Sequence, residues 1–76
     1  MAYYVQSVLF KKPEYSKNKA EDWLHKNKFI NNGVDNKKNF LRYRQIDPEY
    51  LRINGYTRIV TKRLNNNVYL VLAYHY

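Results

Sequence analysis

Thr57-Arg58-Ile59-Val60-Thr61-Lys62-Arg63-Leu64, then Asn65-Asn66-Asn67, then Val68-Tyr69-Leu70-Val71-Leu72-Ala73-Tyr74 is the stretch that decides the fold. Two runs rich in β-branched and aromatic residues, joined by a short Asn-only connection, predict an antiparallel hairpin. If Leu64 faces Val68, strand alternation places Arg58, Val60, Lys62 and Leu64 on one side with Val68, Leu70, Leu72 and Tyr74. The other side then carries Ile59, Thr61, Arg63, Tyr69, Val71 and Ala73. Neither side is purely polar, so periodicity alone does not select the core side, and a dimer partner covering the second face would account for the pattern.

Working outward, Tyr3 to Phe10 is β-branched and aromatic with polar residues only at its centre, which suits a largely buried strand ended by Lys11, Lys12 and Pro13. Ser16 is placed to N-cap a helix running to about Asn27, on which Ala20, Trp23 and Leu24 form one apolar stripe. Lys19 stands where a capping box would have Glu. The polar stretch Asn31 to Asn39 reads as an exposed basic loop in which Gly33 supplies a positive φ. A strand from Phe40 to Ile46 follows, pointing Leu41 and Tyr43 one way and Arg42 and Arg44 the other, until Asp47-Pro48 stops it. Glu49 to Gly55 reads as a turn or short helical excursion. The expected architecture is a single α+β domain over residues 1–76, a two-layer sandwich with one helix packed on a mostly antiparallel four-stranded sheet, in the order β-α-β-β-β. The uncovered sheet face is the expected working surface.

The chain resembles a small domain family encoded by tailed phages and large, giant DNA viruses. The resemblance is carried by Val5-Gln6-Ser7-Val8-Leu9-Phe10, by Ala20-x-x-Trp23-Leu24, and above all by Arg42-Tyr43-Arg44-Gln45-x-Asp47-Pro48. It implies a viral or mobile-element origin and transfers no catalytic residue.

Composition bears on partners. Fourteen Lys and Arg against six carboxylates give a net charge of +8, and nine Tyr accompany them. Such a field attracts polyanions through counterion release, and rings can stack on bases. Ten Asn, nine Lys and nine Tyr also match what an AT-rich coding sequence imposes, but the five Arg all fall between Arg42 and Arg63. Arg makes planar, bidentate contacts to phosphate that Lys cannot make. The candidate nucleic-acid contacts are therefore Arg42, Arg44 and Gln45 on one strand, Arg58 and Lys62 on the hairpin, and Lys37 and Lys38 in the loop. A competing reading pairs Arg42 or Arg44 with Asp47 or Glu49. Tyr3, Tyr4, Tyr74 and Tyr76 crowd the two chain ends and are the expected seam of a homodimer.

Catalysis is not expected. The chain has no Cys and only His25 and His75 as imidazoles, in no recognisable constellation, and no cofactor or metal set is apparent. A nuclease built on Asp35, Asp47, Glu49 and Lys62 has nothing in its spacing to identify it. No run approaches a membrane span and no signal-peptide layout opens the chain, so an intracellular setting (host cytoplasm or nucleus) or a virion is expected. Two function classes follow: a DNA- or RNA-binding module that grips the phosphate backbone, or a protein-interaction module serving as a virion component or as an inhibitor of a host factor.

Overall fold

The structure, a computed structural model, describes residues 3–75. The elements, in chain order, are β1 (Tyr3–Lys11), α1 (Lys17–Lys26), β2 (Asp35–Asn36), β3 (Phe40–Arg44), α2 (Pro48–Ile53), β4 (Arg58–Arg63) and β5 (Val68–Tyr74). All strands form one antiparallel sheet in the order β2-β3-β1-β5-β4, so β1, the most apolar polar-centred run, sits in the middle. The domain is α+β as expected, with a fifth strand and a second helix beyond the four and one read from sequence. No helix among the described residues is long and apolar enough to cross a membrane.

The hairpin register is Arg58 opposite Tyr74 through Arg63 opposite Tyr69, which continues to Leu64 opposite Val68, whose carbonyl accepts the Leu64 N–H at 2.9 Å. The face bearing Val68 is the one beneath α1. Val8, Phe10, Leu41, Tyr43 and Val68 are buried there together with Ala20 and Leu24 of the helix. Phe10 is the hub, with ring centroids of Tyr15, Trp23 and Tyr43 at 5.0, 5.5 and 5.6 Å. Phe29 stacks on Trp23 with ring centroids at 5.6 Å. Burying Leu24 completely contributes about 2 kcal/mol, and each favourable ring pair about 1 kcal/mol beyond its area.

Polar bonds fix the helix in place. Ser16 caps α1 by accepting the Lys19 N–H at 3.2 Å. The hydroxyl of fully buried Tyr43 donates to Glu21 Oε2 on α1 at 3.2 Å. At the other end, Phe29 N–H bonds to Leu24 C=O and Lys28 N–H to His25 C=O, a Schellman motif with Lys28 in the left-handed region at φ 62°. Helix α2 ends the same way, on Tyr56 to Leu51 and Gly55 to Arg52 bonds, with Gly55 at φ 85°. The side chains of Asn27 and Asn54 repeat the parallel, each donating to the carbonyl four residues back, Trp23 and Tyr50, at 2.9 and 2.8 Å.

Of the two alternatives for Glu49 to Gly55, the structure has the short helical excursion, begun one residue earlier at Pro48. Asp47 is its N-cap, accepting the Glu49 N–H at 2.9 Å, and Pro48 occupies the first turn, where its missing N–H costs nothing. It lies on the face opposite α1: Pro48, Arg52 and Tyr56 line a concavity with Ile59, and Tyr56 packs on Tyr4 at 4.9 Å. Ile59 and Tyr4 flank Ala73 in the ladder. The second face is thus covered at that end by the same chain, where the alternation had invoked a dimer partner. Strand β3 stops at Arg44, two residues early, because the N–H groups of Gln45 and Ile46 both turn to Gln6 C=O at 2.7 and 3.4 Å. The loop expected over Asn31 to Asn39 contains β2, two residues long and too polar to announce a strand.

The two Schellman motifs carry opposite signs on substitution. Lys28→Gly should raise stability by about 0.5–1 kcal/mol, since an L-residue in the left-handed region is strained there, and Gly55→Ala should lower it by about 1 kcal/mol or more. Denaturant midpoints of the two variants check both directions.

Burial, then the adjacent Glu21 charge and its hydrogen bond, push Tyr43 up to about 12. The folded chain therefore holds this proton where the unfolded chain has released it. The Tyr43 contribution is fully present below about pH 10 and is lost as pH rises to about 12. Unfolding free energies measured across that window should fall more steeply for the native chain than for Tyr43→Phe.

Candidate nucleic-acid interface

The sheet face opposite α1 is only partly covered by α2, and its other half is open. Strand register shows what that half presents. One row across the sheet pairs Arg42 with Leu9, Leu9 with Tyr69, and Tyr69 with Arg63. β3 and β4 are three strand spacings apart, so the two guanidinium-bearing positions of this row stand about 14 Å apart, with an apolar and an aromatic residue between them. The row above places Phe40 opposite Lys11, while the Lys37 N–H bonds to Phe40 C=O at 2.9 Å on the other side. Phe40 is therefore flanked by two lysines, and its ring meets Tyr69 edge-on at 5.6 Å. The row below runs Arg44, Ser7, Val71, Thr61.

Arg42 is held in a defined position. A bulge in β1 between Val5 and Ser7 turns Gln6 and Ser7 to the same face. Arg42 Nε donates to Ser7 Oγ at 3.1 Å and Nη2 to Gln6 Oε1 at 3.2 Å. These bonds use two of the five guanidinium N–H groups and orient the remainder. Arg44 is exposed and makes no side-chain hydrogen bond among the described residues. Neither arginine pairs with Asp47 or Glu49: Glu49 bonds to Arg52 and Asp47 caps α2.

The sequence-derived site divides in two. Arg42, Arg44 and Lys37 share the open face, and exposed Lys38 sits at the tip of the turn joining β2 to β3. Arg58 and Lys62 belong to the opposite face, opposite Tyr74 and Leu70, on the α1 side of the exposed edge strand β4. A single basic face containing all of them does not exist: the row Arg42, Leu9, Tyr69, Arg63 puts Arg63 on the Arg42 face, and alternation along β4 turns Arg58 and Lys62 to the other. Gln45 is occupied: its amide accepts the Ile30 N–H and donates to the Ile30 C=O, both at 2.7 Å. Lys12 is similarly engaged, its Nζ donating to Asn36 Oδ1 and Lys37 C=O at 2.5 and 2.8 Å, which latches the β2–β3 turn onto β1. Nor do the terminal tyrosines form one patch. Tyr3 and Tyr74 meet at 5.5 Å on the α1 side, Tyr4 lies on the other side against Tyr56, and Tyr76 lies outside the described residues.

Lys11, Arg63, Phe40 and Tyr69 join the open face without having been selected from sequence. The hairpin alternation already grouped Arg63 with Tyr69; what it lacked was the strand order that puts Arg42 in the same row. Of the four residues of a conceivable nuclease site, Asp35 and Asp47 line a common concavity, but Glu49 is paired with Arg52, and Lys62 is on the far edge strand and the other face.

Comparison with protein-family models, with curated proteins and with solved structures gave no match for this chain. The resemblance to phage and giant-virus domains accordingly rests on the sequence strings alone.

Gln45→Ala removes two short bonds to Ile30 and should lower stability by about 1–2 kcal/mol. Its effect should appear in the unfolding midpoint, with hydrogen exchange at Ile30 N–H accelerated.

Proposed function

We propose that this protein is a non-enzymatic module that holds single-stranded DNA or RNA across the open half of its sheet. The observation that carries the reading is the pair of rows Lys37, Phe40, Lys11 and Arg42, Leu9, Tyr69, Arg63, in which cations border rings on a solvent-facing sheet. Such a surface suits splayed bases, which stack on partly exposed aromatics while lysine and arginine follow the phosphates. A duplex fits the same surface less well, since its bases are already stacked. Viral origin, and residence inside the host cell or in a virion, belong to the same proposal and rest on the resemblance noted above.

A second reading has its own support. Ile53, Tyr50 and Ile59 are 70, 52 and 50 % exposed around α2 and β4, beside a concavity of about 320 Å³ lined by Pro48, Arg52, Tyr56, Thr57 and Ile59. Apolar exposure of this kind suits a protein partner, whether a viral or host protein or a second copy in a homodimer.

Salt-dependent binding separates these readings, and charge reversals on the two opposed faces separate a site from a nonspecific field. Fluorescence anisotropy with labelled single-stranded oligomers should show affinity falling with salt, with a log–log slope of about −0.7 per phosphate neutralised. Arg42→Glu with Arg44→Glu should reduce affinity at least tenfold and flatten that slope, while Arg58→Glu with Lys62→Glu on the other face should change it far less. Tyr69→Ala should cost about 1–3 kcal/mol of binding. Equal losses from both charge reversals would mean a nonspecific field and no site; absence of binding at low salt would favour the protein partner.

A further inference from the structure

A concavity of about 440 Å³ opens beside Arg42, between the segment that ends in β2 and the end of β3. Its lining includes Asn32, Val34, Asp35, Arg42, Arg44 and Asp47. Drug-sized and nucleotide-sized ligands occupy pockets upward of about 300 Å³, so one nucleotide fits. A site for phosphate alone would have no reason to include a carboxylate. Asp47 is accounted for as the cap of α2. Asp35 is not: it is exposed, it makes no hydrogen bond or ion pair among the described residues, and it does not pair even with Arg42, its ladder neighbour.

We propose that this concavity takes one base of the bound strand and selects guanine, with Asp35 on its Watson–Crick edge and Arg42 on its O6/N7 edge. The inference rests on the strand-binding reading above. Among the four bases only guanine presents two adjacent N–H donors, N1–H and N2–H, which match the two oxygens of one carboxylate. Cytosine and adenine place an acceptor beside their amino donor, and thymine or uracil places one N–H between two carbonyls; each would set a lone pair against the carboxylate. Guanine's neighbouring edge carries two acceptors, O6 and N7, the usual partners of an Arg fork. Asp35 and Arg42 stand side by side on paired strands, so contiguous edges of a single ring can reach both. Arg42 is pre-oriented for this by Gln6 and Ser7, and exposed Arg44, two residues along the same face, is placed for the flanking phosphate.

The test uses the full chain and thymidine oligomers carrying a single central guanosine, adenosine, cytidine or thymidine, with affinities read by anisotropy. The guanosine oligomer should bind about tenfold more tightly than the other three. Asp35→Asn and Asp35→Ala should each abolish that difference while leaving affinity for the all-thymidine oligomer equal or higher, with thermal midpoints confirming that both variants fold. Salt-dependent binding with no preference among the four would overturn the guanine assignment and leave strand binding standing. A uniform rise in affinity for all four oligomers in the Asp35 variants, with the native preference unchanged, would mean that Asp35 only tempers the charge of Arg42, which also overturns it. Failure of every oligomer to bind would remove strand binding itself, and the guanine site with it.

Discussion

The bulge at Gln6 and Ser7 is the constraint on which most of the remaining structure depends. Val5 and Val8 are an odd number of residues apart, and in a regular strand they would face opposite sides. The extra residue restores phase, so Val5 joins Val8 and Phe10 against α1 while Gln6 and Ser7 both face away from it. Two polar side chains are thereby buried at the centre of the central strand, at 8 and 0 % exposure. Burial of this kind is costly unless satisfied, and Arg42 supplies the bonds. The same bulge offers the Gln6 carbonyl to Gln45 and Ile46, which ends β3 and directs the chain into the Asp47 cap of α2. One irregular residue thus sets the core phase, the position of the leading arginine and the helix that closes the second face. No buried side-chain polar atom among the described residues is left without a partner.

Coverage of the two faces is unequal for a reason visible in the helices. α1 has ten residues and a stripe of Ala20, Trp23 and Leu24, enough to lie along three strands and meet the Phe10 cluster. α2 has six residues and buries only Leu51. A helix of that length cannot cover a five-stranded face, so the half distal to it stays open. That half carries the lysines flanking Phe40 and the arginines in the row of Leu9 and Tyr69, side chains that combine a long apolar stem with a charged end. The edge strand β4 is exposed along its whole length and guarded by Arg58, Lys62 and Arg63, charges that discourage edge-to-edge pairing with another copy.

Much of this was legible in the sequence wherever a local rule governed it. Ser16 as a cap, the 3.6-residue stripe of α1, the parity of Leu41 and Tyr43 against Arg42 and Arg44, and the hairpin register about Asn65 to Asn67 depend on near neighbours alone, and the structure matches them. The misses are non-local. Nothing in Asp35-Asn36 marks a strand, since its pairing comes from β3 folding back and from Lys12 reaching across. The left-handed Lys28 gives no residue-type signal, because a Schellman turn normally advertises itself with Gly. Gln45 looked available because side-chain type shows capacity for hydrogen bonding and not occupancy. The division of the basic residues between two faces follows from the order β2-β3-β1-β5-β4, which no window along the chain contains.

The carboxylates are more informative about function than the cations. A coding bias toward lysine scatters positive charge without regard to the fold, and it places no acid. Here six acids face fourteen cations, and most are committed elsewhere: Glu21 to Tyr43, Asp22 to Lys26 at 3.1 Å, Glu49 to Arg52, and Asp47 to the cap of α2. Glu14 lies in the turn between β1 and α1 and on no strand. The two ion pairs are solvent-exposed helix pairs, screened by water. They do little for stability, but together with the cap and the Tyr43 bond they account for acids that might otherwise have neutralised the open face. Lys11, Lys37, Arg42, Arg44 and Arg63 remain there with one carboxylate that has no hydrogen-bond partner among the described residues, Asp35. Leaving five like charges on one surface is unfavourable for a small domain by itself. The arrangement becomes favourable once a polyanion covers that surface, and the single acid left among them is placed where a base, and not a phosphate, would meet it.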